Sequence, residues 1–160
     1  PAFEYRDNNQ FQPSTEPAWA ARVAYNGRGD AQHGGHVQYA SPPGFVHTSY
    51  HLLAFPDAAP ADNTPPPALY AAHPEWFWPR GAAGAKAYGQ LCWSNSSLVA
   101  FITSQARKVL QAQPDANILS ISQNDNFQQC EDPAEKAVNT RAGSPIGALL
   151  TAVNTVAAAL

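Results

Sequence analysis

Two adjacent polar residues follow an apolar segment late in the chain and could carry chemistry. Asn124 and Asp125 come directly after residues 117–123, whose isoleucine and leucine side chains predict a short buried strand. In open α/β sheets and in α/β barrels, catalytic groups lie at the carboxyl ends of the strands. A carboxylate at that position, with an amide beside it, is a candidate proton donor or acceptor. We therefore predict that Asp125 is catalytic and that Asn124 binds substrate.

Three further residues belong to other predicted strands and would reach the same edge of the sheet. His47 lies at the end of a strand predicted over residues 44–50 and could bind a sugar hydroxyl or a carboxylate. Arg6 ends a strand predicted over residues 2–6 and could clamp an acidic sugar. Trp93 ends a third predicted strand, and its ring could stack on the apolar C–H face of a sugar. These three residues complete the predicted substrate-binding set.

Each of these polar residues also has a structural explanation. Asp125 could cap the turn that follows its strand. His47 could donate a hydrogen bond to a backbone carbonyl. Arg6 could form an ion pair with Glu4 or Asp7. The sequence leaves these alternatives open.

The histidines allow a second kind of site, which would hold a metal ion. Two pairs of histidines are close in sequence, His33 with His36 and His47 with His51. Zinc would need a third ligand, for example Asp57 or His73. The two glycines between the first pair make a flexible loop, and the helical zinc-protease motif is missing from the sequence. We therefore expect neither a metal nor a cofactor, and a metal-dependent hydrolase stays an alternative.

The elements that would position these residues alternate between strand and helix. Predicted strands cover residues 2–6, 44–50, 90–93 and 117–123; predicted helices cover residues 14–26, 95–111 and 144–160; loops cover residues 51–87, with a short helical piece at 73–77, and 126–143. Alternating βα units predict an α/β fold with a parallel sheet, either a small doubly wound sheet or half of a (β/α)8 TIM barrel. Because the sequence stops inside an apolar helix without a cap, we expect one domain over residues 1–160 that forms the first four βα units of a barrel.

Composition and charge restrict the partners that the chain could have. Only 13% of the 160 residues are charged, against roughly 25% in an average domain, and the net charge is −3. Without a basic run, nucleic acid is not expected as a partner, and no apolar stretch is long enough to span a bilayer. The first six residues do not resemble a signal peptide, so any leader would lie upstream. Cys92 and Cys130 could pair or stay reduced, and we expect a periplasmic or secreted location.

Several short motifs, specific in combination, resemble those of a known family. They are His47-Thr48, His73 to Phe77, Gln90 to Cys92, Ile121 to Asp125 and Gly143 to Pro145. Over nearly its whole length the chain resembles an uncharacterised bacterial family of domains of unknown function, number 4838, which is placed among the TIM-barrel glycoside hydrolases near the α-glucuronidases and hexosaminidases. The resemblance implies a (β/α)8 barrel that acts on a glycosidic bond. The chain departs from the family where further cysteines usually follow Cys130, because Asp132 and Glu135 occupy those positions.

The function that the resemblance implies is hydrolysis of a polysaccharide or glycan by carboxylate acid/base catalysis. Many barrel glycosidases carry the general acid after an asparagine at the end of the fourth strand, which is the position of Asp125, with Asp here in place of Glu. The second carboxyl group would come from beyond Leu160, or from Glu4, Asp7 or Glu75. The partners expected are therefore a carbohydrate substrate and the remaining half of the barrel, and the fragment alone is expected to be inactive. A non-catalytic carbohydrate-binding barrel is the alternative.

Overall fold

Helices dominate the part of the chain that the structure, a computed structural model, describes: residues 15–25, 37–59, 64–80 and 89–160. The elements in chain order are α1 (Pro17–Arg22), α2 (Ser49–Ala54), α3 (Pro67–Ala72), a 3-10 turn (Pro74–Trp76), β1 (Phe77–Trp78), β2 (Gln90–Leu91), α4 (Ser96–Ala112), α5 (Pro133–Ala142) and α6 (Gly147–Ala159). The strand predicted over residues 2–6, with Arg6, lies outside the described residues.

The range expected to be one domain divides into two units, which are Pro1–Tyr39 with Pro114–Ile118, and Ala40–Gln113 with Leu119–Leu160. In the first unit, Tyr39 forms an isolated parallel bridge with Ile118. The backbone N–H of Gln38 also donates to the side-chain oxygen of Asn117 at 2.8 Å. The second unit contains α2 to α6 and the residues of the candidate site.

The core of the second unit forms around α4. Asn95 caps this helix by accepting hydrogen bonds from the N–H groups of Ser97 and Leu98. The buried face of the helix carries apolar side chains at helical spacing, among them Leu98, Ile102, Ala106 and Val109. This face packs against α2 and α6, and α5 packs against α6. The helix predicted over residues 95–111 is therefore confirmed almost to the residue.

A disulfide joins Cys92, directly after β2, to Cys130, shortly before α5. It closes a loop across 38 residues of sequence and resolves the alternative that the sequence left open. The disulfide thereby links the chain that follows Asp125 to the residue directly after β2.

The strand predicted over residues 44–50 is wrong. Gly44 and His47 both have positive φ, 95° and 55°, which an extended strand does not tolerate. The chain makes a turn there and enters α2 at Ser49. The segment is rich in residue types common in strands, but the left-handed residues break the extended backbone.

The other two predicted strands are shorter than expected. Of residues 90–93, only Gln90–Leu91 form a strand, and it pairs antiparallel with Phe77–Trp78 rather than with a parallel neighbour. Residues 117–123 form a single bridge, at Ile118, instead of a regular ladder. Serine hydroxyl groups provide hydrogen bonds along this segment that a neighbouring backbone would otherwise supply.

The two predicted loops contain helices. Residues 126–143 include α5, with Asp132 as its N-cap, Pro133 at its first position and Gly143 in the left-handed conformation after its end. These cap signals are present in the sequence, but α5 buries only one residue, Glu135, so it lacks an apolar stripe. The loop 51–87 contains the end of α2, α3 and the short 3-10 turn, of which only the last was predicted.

The terminal helices are confirmed in part. α1 ends at Arg22, earlier than predicted, and α6 begins at Gly147 after a turn at Ser144 and Pro145. Within the described ranges no single helix is long and apolar enough to cross a membrane; α5 and α6 reach that length only together, with a bend of 90° between them.

Candidate functional site

His47 and Asp125 lie side by side at an exposed edge of the second unit. The imidazole Nε2 is 3.7 Å from Oδ2 of the carboxylate, and the two side chains are 42% and 80% exposed. The structure thus brings together two residues that are 78 positions apart in the sequence, as the sequence-based prediction requires. Both are open to a ligand from solvent.

The orientation of the imidazole follows from its second nitrogen. Nδ1 of His47 is 3.3 Å from the carbonyl oxygen of Gln123, which can only accept a hydrogen bond. Nδ1 therefore carries a proton, and Nε2 of the neutral ring is left as an acceptor that faces the carboxyl group of Asp125. Two acceptors repel each other, so Nε2 must carry a proton before it can donate to the carboxylate of Asp125.

The backbone of His47 is held in an uncommon conformation. Its φ of 55° lies in the left-handed region, which histidine adopts more often than most residues other than glycine. Such residues persist where the surrounding structure fixes them, and they cluster at ligand-binding and catalytic sites. Here Thr48 and Ser49, which follow directly, are buried and provide that fixation.

A buried cluster of hydroxyl groups connects the His47 turn to the segment that leads to Asp125. Thr48 donates from its hydroxyl to the carbonyl of Ser120 at 2.9 Å and accepts from the N–H of Ser122 at 2.9 Å. Ser49 donates from its hydroxyl to the carbonyl of Ser122 at 2.7 Å. The contacts advance in the same direction along both segments, as they do between parallel neighbours.

Asn124 is the central residue of the polar network under the site. Its side chain is 2% exposed, donates from Nδ2 to the carbonyl of Gly89 at 2.6 Å and accepts from the Ser49 hydroxyl at 3.2 Å. Its backbone N–H and C=O both pair with the side chain of Gln90, at 3.1 and 2.9 Å. Because the next residue is Asp125, this network fixes the backbone from which the carboxylate projects. Asn124 is a positioning residue in this structure, and direct contact with substrate stays a prediction.

Trp93 lies in a different environment from the one that stacking on a sugar requires. Its side chain is 5% exposed, and it borders a cavity of about 340 Å³ between α4, α5 and α6. A second, much smaller cavity of about 20 Å³ is lined by both Trp93 and Gln123. The ring therefore has no open face toward solvent, and its substrate-binding role stays a prediction.

The remaining predicted residues are placed as follows. Arg6, Glu4 and Asp7 lie outside the described residues. Glu75 is exposed, and its carboxylate is 3.2 Å from Nδ1 of His73. Among the residues that the structure describes, no group of three or more His, Cys, Asp or Glu side chains is arranged to hold a metal ion. The metal-dependent alternative gains no support from this part of the chain.

The sequence did not point to Glu135, a buried carboxyl group in the first turn of α5. It accepts a hydrogen bond from the N–H of Ser94 at 2.6 Å, and burial raises the pKa of its carboxyl group. Asp132, three residues earlier, is more exposed, and the hydrogen bond from Arg80 at 2.6 Å lowers the pKa of its carboxyl group. The N-cap pattern from Asp132 to Glu135 was the available signal, since a glutamate at that spacing commonly bonds to the cap residue itself. Here it reaches across to the start of α4 instead.

Gln90 was also missed as a site residue, although it lies in a quoted motif. A glutamine in a short strand gives no sign of a special role in the sequence. Its side-chain amide pairs with the backbone of Asn124, where a neighbouring strand would otherwise pair, because the fold places Asn124 opposite it. That pairing is a tertiary relationship that spacing along the chain does not encode.

Comparison with known proteins identifies the family alone. No curated protein and no solved structure matches the chain. A family model described as "Domain of unknown function (DUF4838)" matches residues 1–160. The chain therefore belongs to this family of domains of unknown function.

Proposed function

We propose that the protein cleaves glycosidic bonds in a polysaccharide or glycan, with Asp125 as the general acid. The observation that carries this proposal is the contact between the two exposed groups, the carboxylate of Asp125 and Nε2 of His47, 3.7 Å apart. A buried hydrogen-bond network holds the backbone on both sides of that contact. General acid catalysis uses a proton donor held in a fixed position within reach of the substrate, and the network supplies that support.

The proposed chemistry begins with a proton on the carboxyl group of Asp125. The carboxyl group of Asp125 gives its proton to the glycosidic oxygen as the bond between that oxygen and the anomeric carbon breaks. Water then supplies a hydroxyl group to the anomeric carbon, and its remaining proton returns to the carboxylate. His47 keeps the carboxyl group oriented through the contact of its Nε2 atom with Oδ2.

The exposure of the site favours a polymeric substrate. A carboxyl group that is 80% exposed lies in an open edge rather than in a closed pocket for a small molecule. A glycan chain can lie across such an edge and bring one of its linkages to the acid. Sequestration from water would then come from the substrate itself and from other parts of the full-length protein.

A second carboxyl group completes the proposal, and we infer that another part of the full-length protein supplies it. The (β/α)8 barrel, of which this chain would be the first half, provides later strands for that purpose. An experimental structure of the full-length protein tests the fold: eight parallel strands that close into a barrel support the proposal, and an open sheet overturns it.

A periplasmic or secreted location is part of the same proposal. The disulfide between Cys92 and Cys130 supports it, because disulfides persist in oxidising compartments and are rare in the cytosol.

The alternative is a carbohydrate-binding protein without turnover, and the high exposure of Asp125 is the observation that favours it. The two functions are separated by replacing Asp125→Asn in the full-length protein, with the exposed Asp115→Asn as the matched control. Loss of glycan hydrolysis with retained glycan binding in the first variant alone supports the hydrolase. Unchanged hydrolysis in Asp125→Asn rules out its role as the acid.

A further inference from the structure

The residue two positions after the proposed acid has the most exposed apolar side chain described in the structure. Phe127 has a relative exposure of 106%, against 53% for Leu160, the next highest of the exposed large hydrophobic side chains. A phenylalanine left entirely in water forgoes roughly 2 kcal/mol of burial free energy. Its position is therefore unexplained by the packing of the second unit.

The turn that presents Phe127 is held on both sides. The N–H of Asn126 donates to the carbonyl of Asn124 at 2.9 Å, and the N–H of Gln128 donates to the side-chain oxygen of Asn126 at 2.9 Å. The same oxygen accepts from the side chain of Gln90 at 2.9 Å. Phe127 thus projects from a turn with defined hydrogen bonds.

The surroundings of Phe127 match one class of ligand. Gln128 and Gln129, which follow it, are exposed amides that can donate and accept hydrogen bonds. Two peptide units separate Phe127 from Asp125, so their Cα atoms are at most about 7 Å apart. A pyranose ring has an apolar C–H face and a rim of hydroxyl groups, and it needs an aromatic face together with neighbouring amides. A docking site for a protein would instead need a contiguous apolar patch.

We propose that Phe127 is the stacking platform of a sugar subsite next to Asp125, and that the substrate is an oligosaccharide of pyranose units long enough to cover both residues. The inference rests on the proposed function, since it places the ring beside the linkage to be cleaved. It assigns to Phe127 the stacking role that the sequence suggested for Trp93.

The test measures binding to a panel of soluble pyranose oligosaccharides by titration calorimetry, using the full-length protein. Because the side chain is exposed, Phe127→Ala is expected to keep the wild-type melting temperature while binding about ten-fold more weakly. Phe127→Tyr is expected to bind within about two-fold of the wild type, because the aromatic face is kept. Leu150→Ala, which removes another exposed apolar side chain on α6, is the matched control and should bind as the wild type does.

The possible outcomes test the stacking role of Phe127 separately from the hydrolase proposal for Asp125. Weaker binding in Phe127→Ala, with rescue in Phe127→Tyr, supports the platform whether or not Asp125→Asn abolishes hydrolysis. If the wild type binds oligosaccharides and Phe127→Ala binds them equally well, the platform is overturned while the hydrolase proposal stands. If the wild type binds none of the panel, or if Phe127→Ala changes only the self-association of the protein, the platform is overturned as well.

Discussion

The side-chain amide of Gln90 pairs with both backbone polar groups of Asn124, accepting from its N–H at 3.1 Å and donating to its C=O at 2.9 Å. A glutamine side chain here makes the two hydrogen bonds that a neighbouring strand would make. Both residues are buried, at 4% and 2% exposure, so water does not compete for these bonds. The consequence is that the backbone directly before Asp125 is fixed without a regular strand.

The first prediction concerns Asn124 itself. Asn124→Ala removes the side-chain bonds to Ser49 and Gly89 inside a buried network, and we expect the free energy of unfolding to fall by about 2 to 3 kcal/mol. Asn124→Asp would set a carboxylate oxygen against the carbonyl of Gly89 and should be as damaging at neutral pH, with partial recovery in acid when the carboxyl group can donate. Urea denaturation measures both variants. Equal midpoints for Asn124→Ala and for the exposed control Gln123→Ala would contradict the network's role.

The second prediction concerns Gly89, whose carbonyl group accepts the hydrogen bond from Asn124. A Cβ atom at this position would lie 1.9 Å from the backbone oxygen of Trp78, so Gly89→Ala must separate β1 from β2. We expect a loss of about 3 kcal/mol in stability. Gly143→Ala is the comparison, because its Cβ would meet open space and only its φ of 65° resists the change. That variant should lose about 1 kcal/mol; a smaller loss for Gly89→Ala than for Gly143→Ala in thermal unfolding would refute the steric argument.

The third prediction concerns the disulfide. In the chain-entropy account, a link between residues separated by 38 positions stabilises the fold by about 4 kcal/mol. The double variant Cys92→Ser with Cys130→Ser should therefore unfold at clearly lower urea concentration than the oxidised wild type. Treatment with a reductant should bring the wild type close to the variant and leave the variant unchanged. A wild type that is equally stable with and without reductant would show that the link contributes nothing.

The fourth prediction is a pH dependence that arises from Glu135. Burial raises the pKa of this carboxyl group in the folded protein above its ordinary value of 4.5. At pH values between 4.5 and the raised pKa of the folded protein, the folded state binds more protons than the unfolded state. The free energy of unfolding therefore falls as pH rises through this window. Below 4.5 both states are protonated and the penalty disappears.

Glu135→Gln isolates this effect, because glutamine can still accept from the N–H of Ser94 without carrying a charge. The difference in unfolding free energy between the wild type and this variant should change in favour of the variant as pH rises above 4.5 through the raised pKa of Glu135. Denaturation curves over this range measure it. A difference that stays constant with pH would show that Glu135 does not titrate between the two states.

Some features of the fold and of the candidate site could be predicted from the sequence because they leave a local pattern in it. The helix around Ile102 was predictable because its apolar residues repeat at the helical period and Asn95 provides a recognisable cap. The proximity of His47 and Asp125 was also predicted, although the strand that was expected to deliver His47 is a turn with positive φ. The correct partners were thus reached through a wrong local structure.

The remaining features depend on tertiary contacts. α5 was missed because its caps lack an accompanying apolar stripe, and its one buried residue, Glu135, is charged. The full exposure of Phe127 reverses the usual expectation for its residue type, whereas the burial of Trp93 is ordinary for tryptophan but unsuited to stacking on a sugar. Only the packing of neighbouring helices decides which aromatic ring stays at the surface.

The central claim is that Asp125 delivers a proton to the leaving group, and the dependence of rate on that leaving group tests it most directly. The measurement compares hydrolysis of glycans and of 2,4-dinitrophenyl glycosides, over a panel of sugars, by the full-length wild type and by Asp125→Asn. Dinitrophenolate leaves without protonation, whereas a sugar hydroxyl benefits from it, so the variant should lose about 100-fold or more on glycans and far less on dinitrophenyl glycosides. Equal losses on both classes of substrate, or no loss on either, would contradict the role of Asp125 as the acid.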